Sequence, residues 1–124
     1  MRIDQGRWGV VAGFSGFMAV VMGAVGAHAV AEPRVAALAE TASLYELIHA
    51  VVLLWLCGAR GRYAMAARWS IMVGTVLFCG TIYLKALLGW ETPVRLAPFG
   101  GVSFMLAWVL IALEHGTRKG GVET

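Results

Sequence analysis

Four apolar runs, each close to 20 residues long, leave this chain few folds to adopt. The first run is the clearest, because no charged residue lies between Arg7 and Glu32. A bilayer core about 30 Å thick is crossed by roughly 20 helical residues, so each run is long enough to span it. We predict membrane spans at about 8–31, 41–59, 66–88 and 96–113, which makes residues 1–124 a single integral membrane domain.

The spans are predicted to be helices because the apolar runs are continuous. Strands of a membrane barrel alternate apolar and polar residues with a period of two. Hydrophobic residues make up 60% of the chain and charged residues 14%, an apolar excess that a soluble domain of this size could not bury and a disordered chain does not have. The predicted fold class is therefore all-α membrane, with four transmembrane helices in an up-down bundle.

A short additional helix is predicted between the first two spans. Residues 32–43 begin with Glu32 and Pro33, and proline suits the first turn of a helix. Small and apolar residues follow at helical spacing, with Arg34 and Glu40 among them. This pattern is typical of a helix that lies in the membrane interface before the chain turns into the bilayer.

The basic residues predict the orientation in the membrane. The net charge is +3, but the lysines and arginines stand at the ends of the apolar runs, so they indicate topology and not a nucleic-acid partner. With four spans, seven of them share one side and three the other, which places both termini in the cytoplasm. The seven are Arg2, Arg7, Arg60, Arg62, Arg68, Arg118 and Lys119, and the three are Arg34, Lys85 and Arg95.

Small residues recur along one face of the first span at steps of three and four. Such a stripe lets helices approach closely in lipid, where the hydrophobic effect does not press them together. It can contact another helix of the same chain or another subunit, and the sequence leaves both open. Two glycines of the fourth span are expected to serve the same purpose. The predicted helix-packing glycines are Gly9, Gly13, Gly16, Gly23, Gly26, Gly100 and Gly101.

Four ionisable residues inside or at the ends of the spans form a candidate intramembrane polar cluster: His28, Glu46, His49 and Lys85. Charged groups within a span are costly and indicate function by default. At about 1.5 Å per helical residue, His49 falls near the midplane and the other three in the outer half. Lys85 either pairs with Glu46 or extends along its stem to the outer headgroups.

The candidate cluster does not match a known catalytic or metal-binding pattern. Glu46 and His49 share one helix face, as in di-iron bundles, but those sites need the motif twice and further carboxylates. A histidine hydrogen-bonded to a neighbouring helix is the commoner arrangement. We therefore assign no catalytic residue, no metal ligand and no cofactor, and the sequence leaves open whether the protein is an enzyme, although it favours a protein that is not one.

Four short segments carry a resemblance to a known family. They are residues 23–29 (GAVGAHA), residues 40–50 with Tyr45 and His49, residues 74–84 with GTIYL at the end, and residues 98–108 with PFGG at the start. In this order they resemble the domain-of-unknown-function family 423, whose members include transmembrane-protein-256-like proteins, over about 8–113. The resemblance implies a four-helix protein of the bacterial inner membrane and no settled activity, substrate or cofactor.

The resemblance also marks two departures, since relatives more often carry a polar amide at position 46 and an apolar or aromatic residue at position 85. These departures favour a local Glu46–Lys85 pair. Three functions remain open. The first is a structural or accessory subunit of a larger membrane complex or a homo-oligomer. The second is a small carrier or channel that uses the polar cluster, and the third is a metal or redox site on His28 and His49. The lipid bilayer is the partner common to all three.

Overall fold

The computed structural model describes the backbone of residues 3–122 and the side chains of residues 5–117. Within these residues the chain is helical and no strand is present. The third span combines three helical segments, with a π-helix between two α-helices. In chain order the elements are α1 (Ile3–His28), α2 (Pro33–Leu56), α3 (Arg62–Gly74), the π-helix (Thr75–Gly80), α4 (Thr81–Leu88), a 3-10 helix (Thr92–Leu96) and α5 (Ala97–Val122).

Four helical stretches are long and apolar enough to cross a membrane. These stretches are Gln5–His28, Pro33–Leu56, Arg62–Leu88 and Thr92–Thr117. Large apolar side chains cover their outer surface: Val10, Phe14 and Met105 are each about two-thirds exposed or more. A soluble monomer rarely exposes a continuous apolar surface of this extent, whereas lipid accepts it. The expected all-helical membrane fold with four spans is therefore confirmed.

The spans run antiparallel to their neighbours. Between α1 and α2, Ser15 contacts Glu46 and Ser43 contacts Ala19, so the residue numbers rise on one helix as they fall on the other. The third span packs in the same way against α5, where Ser103 donates a hydrogen bond to the carbonyl of Ser70. Helix α2 also packs against the third span, so the two hairpins form one bundle.

The separate interfacial helix predicted between the first two spans is not present, because residues 33–43 are the first turns of α2. The helix begins at Pro33, and the carboxylate of Glu32 caps it by accepting the backbone N–H of Val35 at 2.7 Å. The sequence has no glycine or proline between Pro33 and Leu56 to interrupt it. Ala39 and Ala42 are fully buried, so the segment belongs to the packed bundle.

Some of the predicted packing glycines lie where two helices meet. A Cβ on Gly16 would touch Ala50, and one on Gly23 or Gly26 would press against Ser43 or Ala39, all on α2. In α5, Gly100 lies against Phe78 of the π-helix. Gly23, Gly26 and Gly100 let the helix backbones approach closely, as expected of small residues in membrane bundles, whereas a Cβ on Gly16 would make an ordinary van der Waals contact.

The remaining three predicted glycines face away from the other helices. A Cβ added to Gly9, Gly13 or Gly101 would meet no atom within 4 Å. They therefore do not hold the four spans together. The stripe of small residues on α1 therefore divides into two parts. Contact within the chain explains Gly16, Gly23 and Gly26. Gly9 and Gly13 contact no other helix in the described part of this chain, so contact with another subunit stays open for them.

Arg68 holds together the end of the bundle where α2 ends and α3 begins. Its side chain is buried, and its Nη1 donates to the carbonyls of Leu56 at 2.7 Å and Ala59 at 2.8 Å. The last carbonyls of a helix have no partner within the helix, so a buried guanidinium satisfies them and complements the helix dipole. The same guanidinium carbon lies 5.7 Å from the ring centre of Trp8 on α1.

The two adjacent glycines of α5 provide a matched test of the packing. In Gly100→Ala the new Cβ would lie 2.8 Å from the Cβ of Phe78, so the helices must move apart, at an expected cost of about 1–3 kcal/mol. Gly101→Ala meets open space and gains up to about 1 kcal/mol of helix propensity. When both variants are unfolded in detergent, the free energy of unfolding should fall below that of the native protein for Gly100→Ala only. Equal values would contradict the close contact between α5 and the π-helix.

Candidate functional site

A buried carboxyl group near the middle of α2 links three spans. Glu46 is only 4% exposed. Its Oε2 accepts a hydrogen bond from Ser15 Oγ of α1 at 2.9 Å, and its Oε1 accepts one from Tyr83 OH of α4 at 2.6 Å. Both carboxyl oxygens are therefore supplied with donors by helices other than their own.

One helical turn further along α2, His49 joins the bundle to α5. Its Nδ1 lies 2.7 Å from the carbonyl oxygen of Tyr45, and its Nε2 lies 3.1 Å from Nε1 of Trp108. Because the indole N–H can only donate and the carbonyl can only accept, these partners assign a neutral ring that carries its proton on Nδ1. The ring also stacks on Phe104, with ring centres 3.8 Å apart.

We call Ser15, Glu46, His49, Tyr83 and Trp108 the polar layer. Along α1 and α2 it lies between two apolar clusters. One contains Trp8 and Leu53, and the other contains Met22 and Ala42. The side chains of the polar layer therefore supply each other with hydrogen-bond partners at a depth where lipid offers none.

The π-helix shapes the third span beside the polar layer. A π-turn inserts one extra residue, so the helix that follows it is rotated relative to the helix before it. The hydroxyl of Thr81 donates to the carbonyl of Leu77 at 2.6 Å, and the thiol of Cys79 donates to the carbonyl of Ala42 on α2 at 3.3 Å. Tyr83 follows one turn after Cys79, and its hydroxyl reaches Glu46.

Only two of the four predicted cluster residues lie in the polar layer, Glu46 and His49. Lys85 does not pair with Glu46, because its Nζ lies 3.1 Å from Oε1 of Glu91 in the following connection. The lysine is one turn from the end of α4, so its stem reaches the more exposed carboxylate. His28 is the last residue of α1 and is exposed, so the structure does not bring it together with His49.

Three residues of the polar layer were not among the predicted site residues. Ser15 could have been recognised from the sequence, since it is the one hydroxyl residue between Arg7 and His28. Tyr83 and Trp108 are aromatic, and aromatic residues also serve as membrane-interface anchors, so the pattern alone does not show that they donate inward. Their role depends on the rotation of the third span and of α5, which spacing does not reveal.

Hydrogen bonds within the bundle use the polar atoms of the Glu46 and His49 side chains. Both oxygens of Glu46 and both ring nitrogens of His49 have partners, and each partner is a group of this chain. Within the described residues, no group of three or more His, Cys, Asp or Glu side chains is arranged to hold a metal ion. The polar layer is thus built to join helices.

Comparisons with known proteins agree with this architecture. A family model described as a protein of unknown function, DUF423, matches residues 22–101. The UPF0382 inner membrane protein YgdD of Escherichia coli K12 is 34% identical over 109 residues, which cover 82% of this chain and 83% of the relative. A UPF0382 membrane protein of Haemophilus influenzae is 30% identical over 85% of this chain and 88% of its own length. No solved structure matches.

The fold and the comparisons define a class: small integral membrane proteins whose biochemical function is unknown. Within that class the chain belongs to the DUF423 family, since the family model covers more than half of its 124 residues. The resemblance seen in the sequence is therefore confirmed.

Tyr83 tests whether the polar layer stabilises the bundle. Tyr83→Phe removes the donor to Oε1 of the buried Glu46 and should lower the free energy of unfolding by about 1–2 kcal/mol, the upper range for hydrogen bonds between membrane helices. Tyr45→Phe deletes the same atom at a side chain that is 42% exposed, and is expected to have little effect. Unfolding in mixed detergent micelles measures the free energy of unfolding of both variants.

Lys85→Met gives a second control for the same measurement. Glu91, the partner of Lys85, has a side chain that is 75% exposed, and such ion pairs contribute at most about 1 kcal/mol. A loss in Lys85→Met as large as in Tyr83→Phe would contradict the assignment of partners made here.

Proposed function

We propose that this protein is a structural or accessory subunit of a larger membrane complex, located in the bacterial inner membrane. The observation that carries the proposal is the complete set of partners around Glu46 and His49. Their side-chain oxygens and nitrogens are used to join α1, α2, α4 and α5. A group that holds the fold together in this way is not presented to a substrate. The inner-membrane location is supported by the relative from Escherichia coli, which is an inner membrane protein.

The outward face of α1 is the surface proposed to meet the rest of the complex. Gly9 and Gly13 lie on it with open space around them, and Val10, Phe14 and Phe17 are exposed beside them. A pair of small residues spaced by four lets a second helix approach closely, and neighbouring aromatic side chains enlarge the contact. The partner helix belongs to another protein of the complex or, in a homo-oligomer, to a second copy of this chain.

Purification in a mild detergent tests this role. The native protein should elute with stoichiometric membrane partners or as an oligomer, identified by mass spectrometry and by its mass in solution. Gly13→Leu should release it as a folded monomer, because the larger side chain fills space needed by a partner and not space within the chain. Gly101→Leu is the control: it introduces the same change on α5, where open space is also present.

Two outcomes would contradict the proposal. Elution of the native protein as a partner-free monomer would remove the subunit role. Release by Gly101→Leu and not by Gly13→Leu would move the contact from α1 to α5. The carrier alternative predicts something different: ion flux into proteoliposomes above that of empty vesicles, abolished by Glu46→Gln. Glu46 would then have to exchange Ser15 or Tyr83 for the transported species.

The proposed orientation places both termini in the cytoplasm. Its support is the excess of basic residues at that end, where Arg7, Arg60, Arg62 and Arg68 lie, over the opposite end with Arg34, Lys85 and Arg95. Arg2 and the side chains of Arg118 and Lys119, which belong to the same count, lie outside the described residues.

Single cysteines test this orientation in a background without Cys57 and Cys79. A cysteine at Thr117 should react with a membrane-impermeant maleimide only after the cells are opened. A cysteine at Glu91 should react in intact cells that have a permeable outer envelope. The reverse pattern would invert the topology.

A further inference from the structure

A groove runs between α1 and α3 at the end of the bundle that carries the chain termini. It has a volume of about 290 Å³ and is lined by Arg7, Trp8 and Val11 from α1 and by Met65, Trp69 and Met72 from α3. The lining residues of α3 run from Met65 to Met72, seven helical steps, so the groove extends about 10 Å along the helix. All of them except Arg7 are apolar or aromatic.

The base of the groove is closely packed. Trp8 is 8% exposed and meets the ring of Trp69 edge to face, with ring centres 5.1 Å apart. The guanidinium carbon of Arg68 lies 5.7 Å from the centre of the Trp8 ring. Trp69 itself is 55% exposed, so the wall that it forms is open to the surroundings of the bundle.

A second cavity adjoins the groove and gives this end a positive charge. It measures about 280 Å³, shares Met65 with the groove, and is also lined by Gln5, Arg60 and Arg68. Among residues 5–117, whose side chains the structure describes, no acidic residue lines either cavity. Arg68 is committed to the carbonyls of Leu56 and Ala59, whereas the exposed side chains of Arg7 and Arg60 lie at the rims of the two cavities.

We propose that this groove binds an anionic phospholipid. The phosphate lies between Arg7 and Arg60, and the first part of one acyl chain lies along Trp8, Trp69 and Met72. Charge complementarity selects the occupant: an apolar slot that continues into a cavity lined by arginines matches a molecule with one negative headgroup and a hydrocarbon tail. Basic pockets between membrane helices are a recurrent solution for binding acidic headgroups.

The surroundings of the groove favour a lipid over a soluble anion. Val73 of α3 and Val76 of the π-helix continue the exposed apolar surface of the third span from the groove towards the bilayer centre. Tryptophans such as Trp69 prefer the depth where headgroups meet hydrocarbon. A free phosphate would use the basic rim and leave the apolar slot unoccupied.

Native mass spectrometry of the full-length protein in a neutral detergent tests the proposal. Phosphatidylglycerol and phosphatidylcholine with the same acyl chains are added at equal mole fractions, and retained lipid is counted. One arginine near a headgroup contributes about a fivefold preference, so we expect at least that ratio in favour of phosphatidylglycerol. Arg7→Gln should reduce the ratio about fivefold, and Trp69→Ala should reduce retention of both lipids.

Matched controls lie at the opposite end of the bundle. Arg95→Gln removes an exposed arginine, and Trp90→Ala removes a tryptophan that is 53% exposed, close to the 55% of Trp69. Neither should change the ratio. Thermal unfolding with each lipid, with inorganic phosphate and with glycerol phosphate supplies a second measurement. Phosphatidylglycerol should raise the midpoint of the native protein, and the two soluble phosphates should not.

Three results would overturn the proposal: equal retention of the two lipids, equal effects of Arg7→Gln and Arg95→Gln, or a midpoint raised as much by a soluble phosphate as by phosphatidylglycerol. The test of Arg7 does not depend on the folding of Trp69→Ala, because the Arg7 side chain is exposed and its removal leaves the core unchanged.

Discussion

A carboxyl group in the middle of a membrane helix must find its hydrogen-bond donors inside the protein, because the hydrocarbon of the bilayer has none to offer. In this protein Glu46 of α2 obtains them from Ser15 of α1 and Tyr83 of α4. The requirement sets the relative position of three helices, since a shift of any one of them would separate a donor from its acceptor. His49 extends the same constraint to α5 through Trp108.

Small residues make those hydrogen bonds geometrically possible. Gly23 and Gly26 bring α1 close to α2, and Gly100 brings α5 close to the π-helix around Phe78. Without such close approach, a serine hydroxyl on one helix could not reach a carboxyl group on the next. Steric fit and polar satisfaction therefore support each other: the glycines set the spacing between the helices, and the polar layer sets how they are rotated and shifted.

The sequence predicted the parts of this structure that depend on length and hydropathy. Four spans follow from apolar runs that lipid accepts, and the close contacts of Gly23 and Gly26 agree with their helical spacing. It did not predict that α2 begins at Pro33, because a helix that continues out of the bilayer and one that lies in the interface can share the same composition. It also did not predict the π-helix, which arises from contacts in three dimensions.

The candidate site was predicted only in part for a related reason. Depth along the bilayer can be counted from the sequence, and it drew attention to Glu46 and His49, whose side chains are buried in the bundle. Pairing also depends on rotation. Lys85 and Glu46 are close in estimated height, yet Lys85 contacts Glu91, and the hydroxyl of Tyr83 reaches the carboxyl group instead. A difference of two positions on a helix turns a side chain through about 200°, which decides between those partners.

The most direct measurement is solid-state NMR of the protein in lipid bilayers, with ¹³C labels on glutamate and tyrosine. We expect a through-space correlation between the side-chain carboxyl carbon of Glu46 and the ring carbon that bears the hydroxyl of Tyr83, assigned by its loss in Tyr83→Phe. A bilayer spectrum in which Glu46 shows no contact with Tyr83, and correlates with the side chain of Lys85 or with water instead, would contradict it.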